Sequence, residues 1–177
     1  MMEATKPAGT IRVGIFDRTV RIQIAGRATF TASLDLKNVV NELWDRGYKS
    51  FIFDLCDCVI MDSTFLGVLA GVGLKFDEAN EKADGCFLAI ANPNERIADL
   101  LEDLGVAHLF KVIELDPAKE NLQPVAHVEN SSRVDVARTC LEAHKTLMTL
   151  NSENALKFKD VAQFLAEDLK KLEAKES

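Results

Sequence analysis

The chain has 177 residues, 21 of them Lys or Arg and 28 Asp or Glu, for a formal net charge of -7. That length allows one domain with an appendage or two small domains, and 47% hydrophobic residues can bury a core. The acidic balance, with no Lys/Arg-rich stretch, argues against a nucleic-acid or anionic-membrane surface, because both attract dense positive charge.

The first nine residues are polar and lack the apolar centre of a secretory leader. No apolar run approaches the ~20 residues that span a bilayer. A loose tail over residues 1–9 and a cytoplasmic location are expected. Ile11, Val13 and Ile15 alternate, as do Val20, Ile22 and Ile24, and Asp17-Arg18 between them reads as a tight turn. This pattern predicts a hairpin whose second strand ends at Gly26. A helix follows from Thr31 to Arg46, capped by Thr31 or Ser33 and stopped by Gly47 as a left-handed C-cap.

Phe51 to Leu55 is nearly all apolar, as expected of a strand covered on both faces. A short apolar crossing leads to a helix from Thr64 to about Asn80. Gly85 to Ala91 reads as another strand, and Pro93-Asn94 opens a helix through Leu104 that Gly105 stops. Leu109 to Leu115 is the last strand. The order β-β-α-β-α-β-α-β predicts an α/β domain over residues 10–117, with a mainly parallel sheet and an antiparallel N-terminal strand.

Residues 118–131 are polar and aperiodic and read as a linker. A helical extension over 132–177 follows. Val134, Ala137, Leu141, His144 and Met148 form one stripe. After a break near Leu150–Asn154, Leu156 or Phe158, Val161, Leu165, Leu169 and Leu172 form a second. The pair reads as a helical hairpin that must pack on the domain, on a second copy as a homodimer, or on a partner.

Four cysteines, Cys56, Cys58, Cys86 and Cys140, supply one C-x-C pair and no second pair to complete a zinc site. His108, His127 and His144 are scattered. Reduced, mostly buried thiols are expected, with no metal and no cofactor. Phosphate-binding glycine loops are absent from the sequence.

The informative run is Phe53 to Leu69, where an apolar strand leads into Asp62-Ser63-Thr64 at a helix start. Ser63 is placed to be the N-cap, accepting a backbone N–H two or three residues on. It is equally placed to carry a phosphate, whose charge the free N–H groups and dipole of a helix N-terminus tolerate. Asp62 would repel that charge, so a partner accepting the neutral hydroxyl would meet a hostile surface after modification. Gly67 and Gly71 share a face and permit close approach of another backbone. A hydrolase nucleophile is not expected, since Met61-Asp62-Ser63-Thr64-Phe65 lacks the glycines of a nucleophile elbow.

The strand-end Asp54-Leu55, the run Met61 to Leu69, the hairpin with Gly26-Arg27 and the Asn92-Pro93-Asn94 helix opening together resemble the STAS domain of bacterial anti-sigma factor antagonists. The likeness extends from about Ile11 to Leu115. It implies a non-enzymatic regulatory module, with Ser63 phosphorylated by a partner that is both serine kinase and anti-sigma factor, and Thr64 as a secondary acceptor. It also implies a metal-dependent serine phosphatase as the resetting partner, and a partner surface of Asp62, Ser63, Thr64, Phe65 and Gly67. Many relatives carry glycine where this chain has Phe65, and the helical extension lies outside the usual domain. A constitutive adaptor in a transport or signalling complex, with Ser63 only a helix cap, is the alternative.

Overall fold

The computed structural model describes residues 9–82, 85–117, 121–127 and 131–177. Along the chain lie β1 (Thr10–Phe16), β2 (Thr19–Ala28), α1 (Phe30–Asp45), β3 (Ser50–Asp54), β4 (Cys58–Met61), α2 (Ser63–Lys82), β5 (Phe87–Ala91) and α3 (Glu95–Asp103). They are followed by β6 (Lys111–Ile113), β7 (Gln123–Pro124), α4 (Arg133–Leu150) and α5 (Ser152–Glu176). Hydrogen-bonded strands run β6-β5-β3-β2-β1-β7, with β4 paired to β2 alone. The pairs β1/β2 and β1/β7 are antiparallel and the others parallel. This is the mixed, mainly parallel α/β architecture with an antiparallel N-terminal strand and a C-terminal helical hairpin that the apolar periodicity predicts.

Aromatic side chains join the layers. Phe51 of β3 meets the edge of Phe76 from α2 at 5.4 Å between centroids, and Phe76 meets Trp44 from α1 at 4.9 Å. Such edge-to-face pairs suit the ring quadrupoles and add to the burial of large apolar area. Val20, Ile22 and Ile24 of β2 lie in the same core.

Several elements differ from their expected bounds. β2 does not end at Gly26. It changes partner there, pairing with β3 as far as Gln23 and with β4 from Gly26 to Ala28, with a register shift between Gly26 and Arg27. Gly26 has φ 76, a conformation glycine takes without a Cβ penalty, and this bulge lets the strand bend and continue. The apolar crossing is thereby the strand β4. The last strand is shorter than expected because Ala107–Leu109 forms a 3-10 turn. Within the segment read as a linker, Gln123 and Pro124 pair with Val13 and Arg12, while 118–120 and 128–130 lie outside the described residues, as do residues 1–8 of the expected tail.

Helix caps also moved. Neither Thr31 nor Ser33 caps α1, whose N-cap residue Thr29 makes no side-chain cap bond. Asn94 caps α3 through Ile97 N at 2.9 Å, and its amide also donates to Cys58 O at 2.9 Å. Ser132 caps α4, and Asn151 caps α5. Gly47 takes φ +99 as expected of a residue just past a helix end.

The hairpin α4–α5 packs on the domain through α2. Val134, Ala137, Leu141 and His144 are buried on α4, whereas Met148 is only half-buried. On α5 the buried member of the Leu156-or-Phe158 choice is Phe158, and Leu156 is 80% exposed. Val161 is exposed too, so the second stripe is covered only in part. Asn154, fully buried, donates to Leu104 O at 2.8 Å and Leu147 O at 2.9 Å, which pins the helix turn to the end of α3. No described helix is long and apolar enough to cross a membrane.

Candidate functional site

β4 delivers Met61 to the end of the sheet, and Asp62 turns the chain into α2. The Asp62 carboxylate accepts from Phe65 N at 2.8 Å through Oδ1 and from Phe30 N at 2.7 Å through Oδ2. One side chain therefore satisfies orphan N–H groups of α2 and α1 together, and its charge is favourable at both helix N-termini. The cap of α2 is Asp62 and not Ser63, because Ser63 already has helical geometry as the first residue of α2. Relieved of that task, the half-buried Ser63 hydroxyl lies 3.0 Å from His144 Nε2 on α4.

The His144 ring is held from both ends. Its Nδ1 lies 2.7 Å from Cys140 O, a pure acceptor, so Nδ1 carries a proton and Nε2 is the nitrogen that meets the Ser63 hydroxyl. Phe158 of α5 meets the imidazole edge at 5.4 Å between centroids. The pair has the spacing of a nucleophile and a base, but the group behind the imidazole is a backbone carbonyl rather than a carboxylate.

The other expected site residues are placed differently. Thr64 is buried and hydrogen-bonded to the Cys140 thiol. Burial pushes that thiol up, Asp62 adds to the rise, and the Thr64 bond pulls part of the way back. Phe65 was expected on the partner surface, but it is fully buried beneath the first turn of α2 and acts there as core. Gly67 faces Ala143 of α4 so closely that a Cβ on it would stand 2.4 Å from the Ala143 carbonyl oxygen. Gly71, one turn on, has no atom within 4 Å of its would-be Cβ. Beside the corner, a groove of about 580 Å³ runs between α4 and α5, lined by Phe30, Thr64, His144, Val161 and Leu165.

Two residues at this corner carry no functional motif in the sequence. His144 is one position of a helix stripe and, like His108 and His127, has no pattern around it that marks a base for Ser63. A polar residue inside an otherwise apolar stripe was the available signal. Phe30, 50% exposed at the start of α1, carries no pattern at all. Asp54, at the strand end, is buried and accepts from Arg21 Nη2 at 2.5 Å and Nε at 3.2 Å, while Cys56 N bonds its other oxygen at 3.1 Å. It holds the sheet end together and does not reach the Ser63 corner. No group of three His, Cys, Asp or Glu able to hold a metal occurs among the described residues.

A sheet entered by a hairpin thus presents a helix N-terminus bearing Asp-Ser-Thr at the strand ends. The family model for the STAS domain matches residues 10–120. The chain belongs to the STAS domain family. Among solved structures it is similar to a Thermotoga maritima protein described as an anti-sigma factor antagonist. The crystal form of that protein has 20% identity over 60% of this chain and 86% of that one, with a TM-score of 0.51. Its NMR structure aligns at 21% identity over 64% and 84%, also with a TM-score of 0.51. The anti-sigma factor antagonist SpoIIAA in its unphosphorylated form gives 18% identity over 60% and 88%, with a TM-score of 0.49. No curated protein matched the sequence.

Proposed function

We propose that this chain is a phosphorylation-switched binding module of the anti-sigma factor antagonist kind, with Ser63 as the switch and a cytoplasmic serine kinase that doubles as anti-sigma factor as its partner. The observation that carries this reading is that Asp62 caps α2 and leaves the Ser63 hydroxyl without a capping role. A hydroxyl at the first residue of a helix, freed from capping, can be modified without costing the helix its cap. A phosphate there adds about -1.5 to -2 charge. The free N–H groups of the first turn support it, and the adjacent Asp62 carboxylate makes the surface repellent to a partner shaped for the neutral form.

Thr64 is the secondary acceptor in this reading. Asp62, Ser63 and Thr64 form the edge a partner meets, and Phe65 and Gly67 shape it from below. A metal-dependent serine phosphatase resets the module. Neither nucleic acid nor membrane is a ligand. The uncovered part of α5, with Leu156 80% and Phe164 67% exposed, is the surface through which two copies would pair.

Intact-mass and peptide mass spectrometry on the protein from its native cells, before and after phosphatase treatment, tests the switch. One phosphate on Ser63 is expected. Its absence under every growth condition would leave the constitutive adaptor.

A further inference from the structure

We propose that the α4–α5 hairpin is an internal competitor for the Ser63 surface: α4 sits where the partner docks, and phosphorylation of Ser63 displaces it. The inference deepens the Ser63 reading and rests on it.

Three observations meet on one face of α2. The Ser63 hydroxyl is hydrogen-bonded to His144 Nε2 at 3.0 Å. The Ala143 backbone lies against Gly67 with no room for a methyl group. Thr64, between them in sequence, is buried and bonded to Cys140. The residues expected to face a partner are therefore already engaged by consecutive turns of α4. A partner that reaches the Ser63 hydroxyl must first move that helix.

The contact also reads the modification state. A phosphoserine has no hydroxyl proton to donate. Its phosphoryl group would have to fit where a single hydroxyl now spans 3.0 Å to His144 Nε2. The ring is 5% exposed and backed by Phe158, so it has little freedom to turn. The close seat at Gly67 leaves α4 no slack to absorb a group of phosphate size. Displacing α4 is the remaining response.

Hydrogen exchange on the full chain tests the cover without needing the partner. Ser63→Glu places a fixed charge at the contact, and Gly67→Ala drives a methyl group into Ala143 without any charge. Amides of α4 should exchange at least tenfold faster in either variant while those of β2, β3 and β5 keep their protection. Unchanged or increased α4 protection in both variants overturns the proposal. A second arm locks the cover. Thr64→Cys opposite the native Cys140 allows a disulfide that fastens α4 to α2. Phosphate uptake at Ser63 from ATP in an extract of native cells should be at least tenfold slower in the oxidised protein than after reduction. Equal uptake in both forms overturns the cover. If neither form takes up phosphate, the Ser63 switch fails as a function, and the exchange measurement alone decides whether α4 is displaceable.

Discussion

Asp62 makes the residue-scale logic of the corner visible, since one carboxylate serves two helix starts. Asp62→Ala removes both bonds and should lower stability by about 1–3 kcal/mol in urea unfolding, whereas Asp62→Asn, with one oxygen left to accept, should lose less. Asp54 presents a harsher case. It is fully buried against Arg21, itself 8% exposed, and Arg21 also donates to Asp116 O at 3.0 Å. Asp54→Ala leaves a buried guanidinium uncompensated and should cost roughly 3–5 kcal/mol, while the double change Asp54→Ala with Arg21→Met should recover part of it. Cys58 offers a pH signature. Burial pushes its thiol from the ordinary 9.0 up to about 11. The folded state thus favours the protonated thiol, a contribution present below pH 9 and lost as pH rises through about 11. A shift of that size corresponds to about 2–3 kcal/mol. The urea midpoint of the wild type should therefore fall more steeply between pH 9 and 11 than that of Cys58→Ala.

At the scale of elements, Gly67 and Gly71 separate two meanings of one sequence pattern. Both lie four apart on α2, and helix propensity favours alanine at either by roughly 1 kcal/mol. Gly71 faces a cavity of about 210 Å³ between α1, α2 and α4. Gly71→Ala should raise the melting temperature by a few degrees. Gly67→Ala meets the Ala143 carbonyl and should lower stability by about 1–3 kcal/mol despite the better propensity. Calorimetry on the two variants should give opposite signs. Equal signs would mean that α4 does not rest on α2.

For the whole molecule, the hairpin is covered unevenly, with α4 packed on the domain and α5 partly exposed. α4 is tied to the domain by its buried face, by Asn154 and by the exposed ion pair Lys37–Glu142 at 3.0 Å, which contributes little in water. α5 carries a row of apolar residues, Leu156, Val161 and Phe164, into solvent. If that row pairs two copies, sedimentation should give a dimer for the wild type and a monomer for Phe164→Lys, with the melting temperature of the STAS domain unchanged. Identical sedimentation would remove dimerisation from the roles of the hairpin.

The order of the helices and of the strands other than β4 and β7, the turn glycines at Gly47 and Gly105, the Asn94 helix opening and the Asp-Ser-Thr helix start were legible in the sequence. Each rests on local chemistry: apolar period, backbone freedom, or a side chain bonding two or three residues away. The Asn92-Pro93-Asn94 run is local in the same sense, since Asn92 takes φ 55 where few non-glycine residues can. The tertiary structure alone decided what Ser63 touches. Its partner His144 is 81 positions away, and a helix stripe says which residues are buried but not against what. It also assigned the cap to Asp62, because that carboxylate had a second N–H to satisfy on a distant helix. It placed α4 over Gly67, because a missing side chain announces close approach without naming the backbone that makes it.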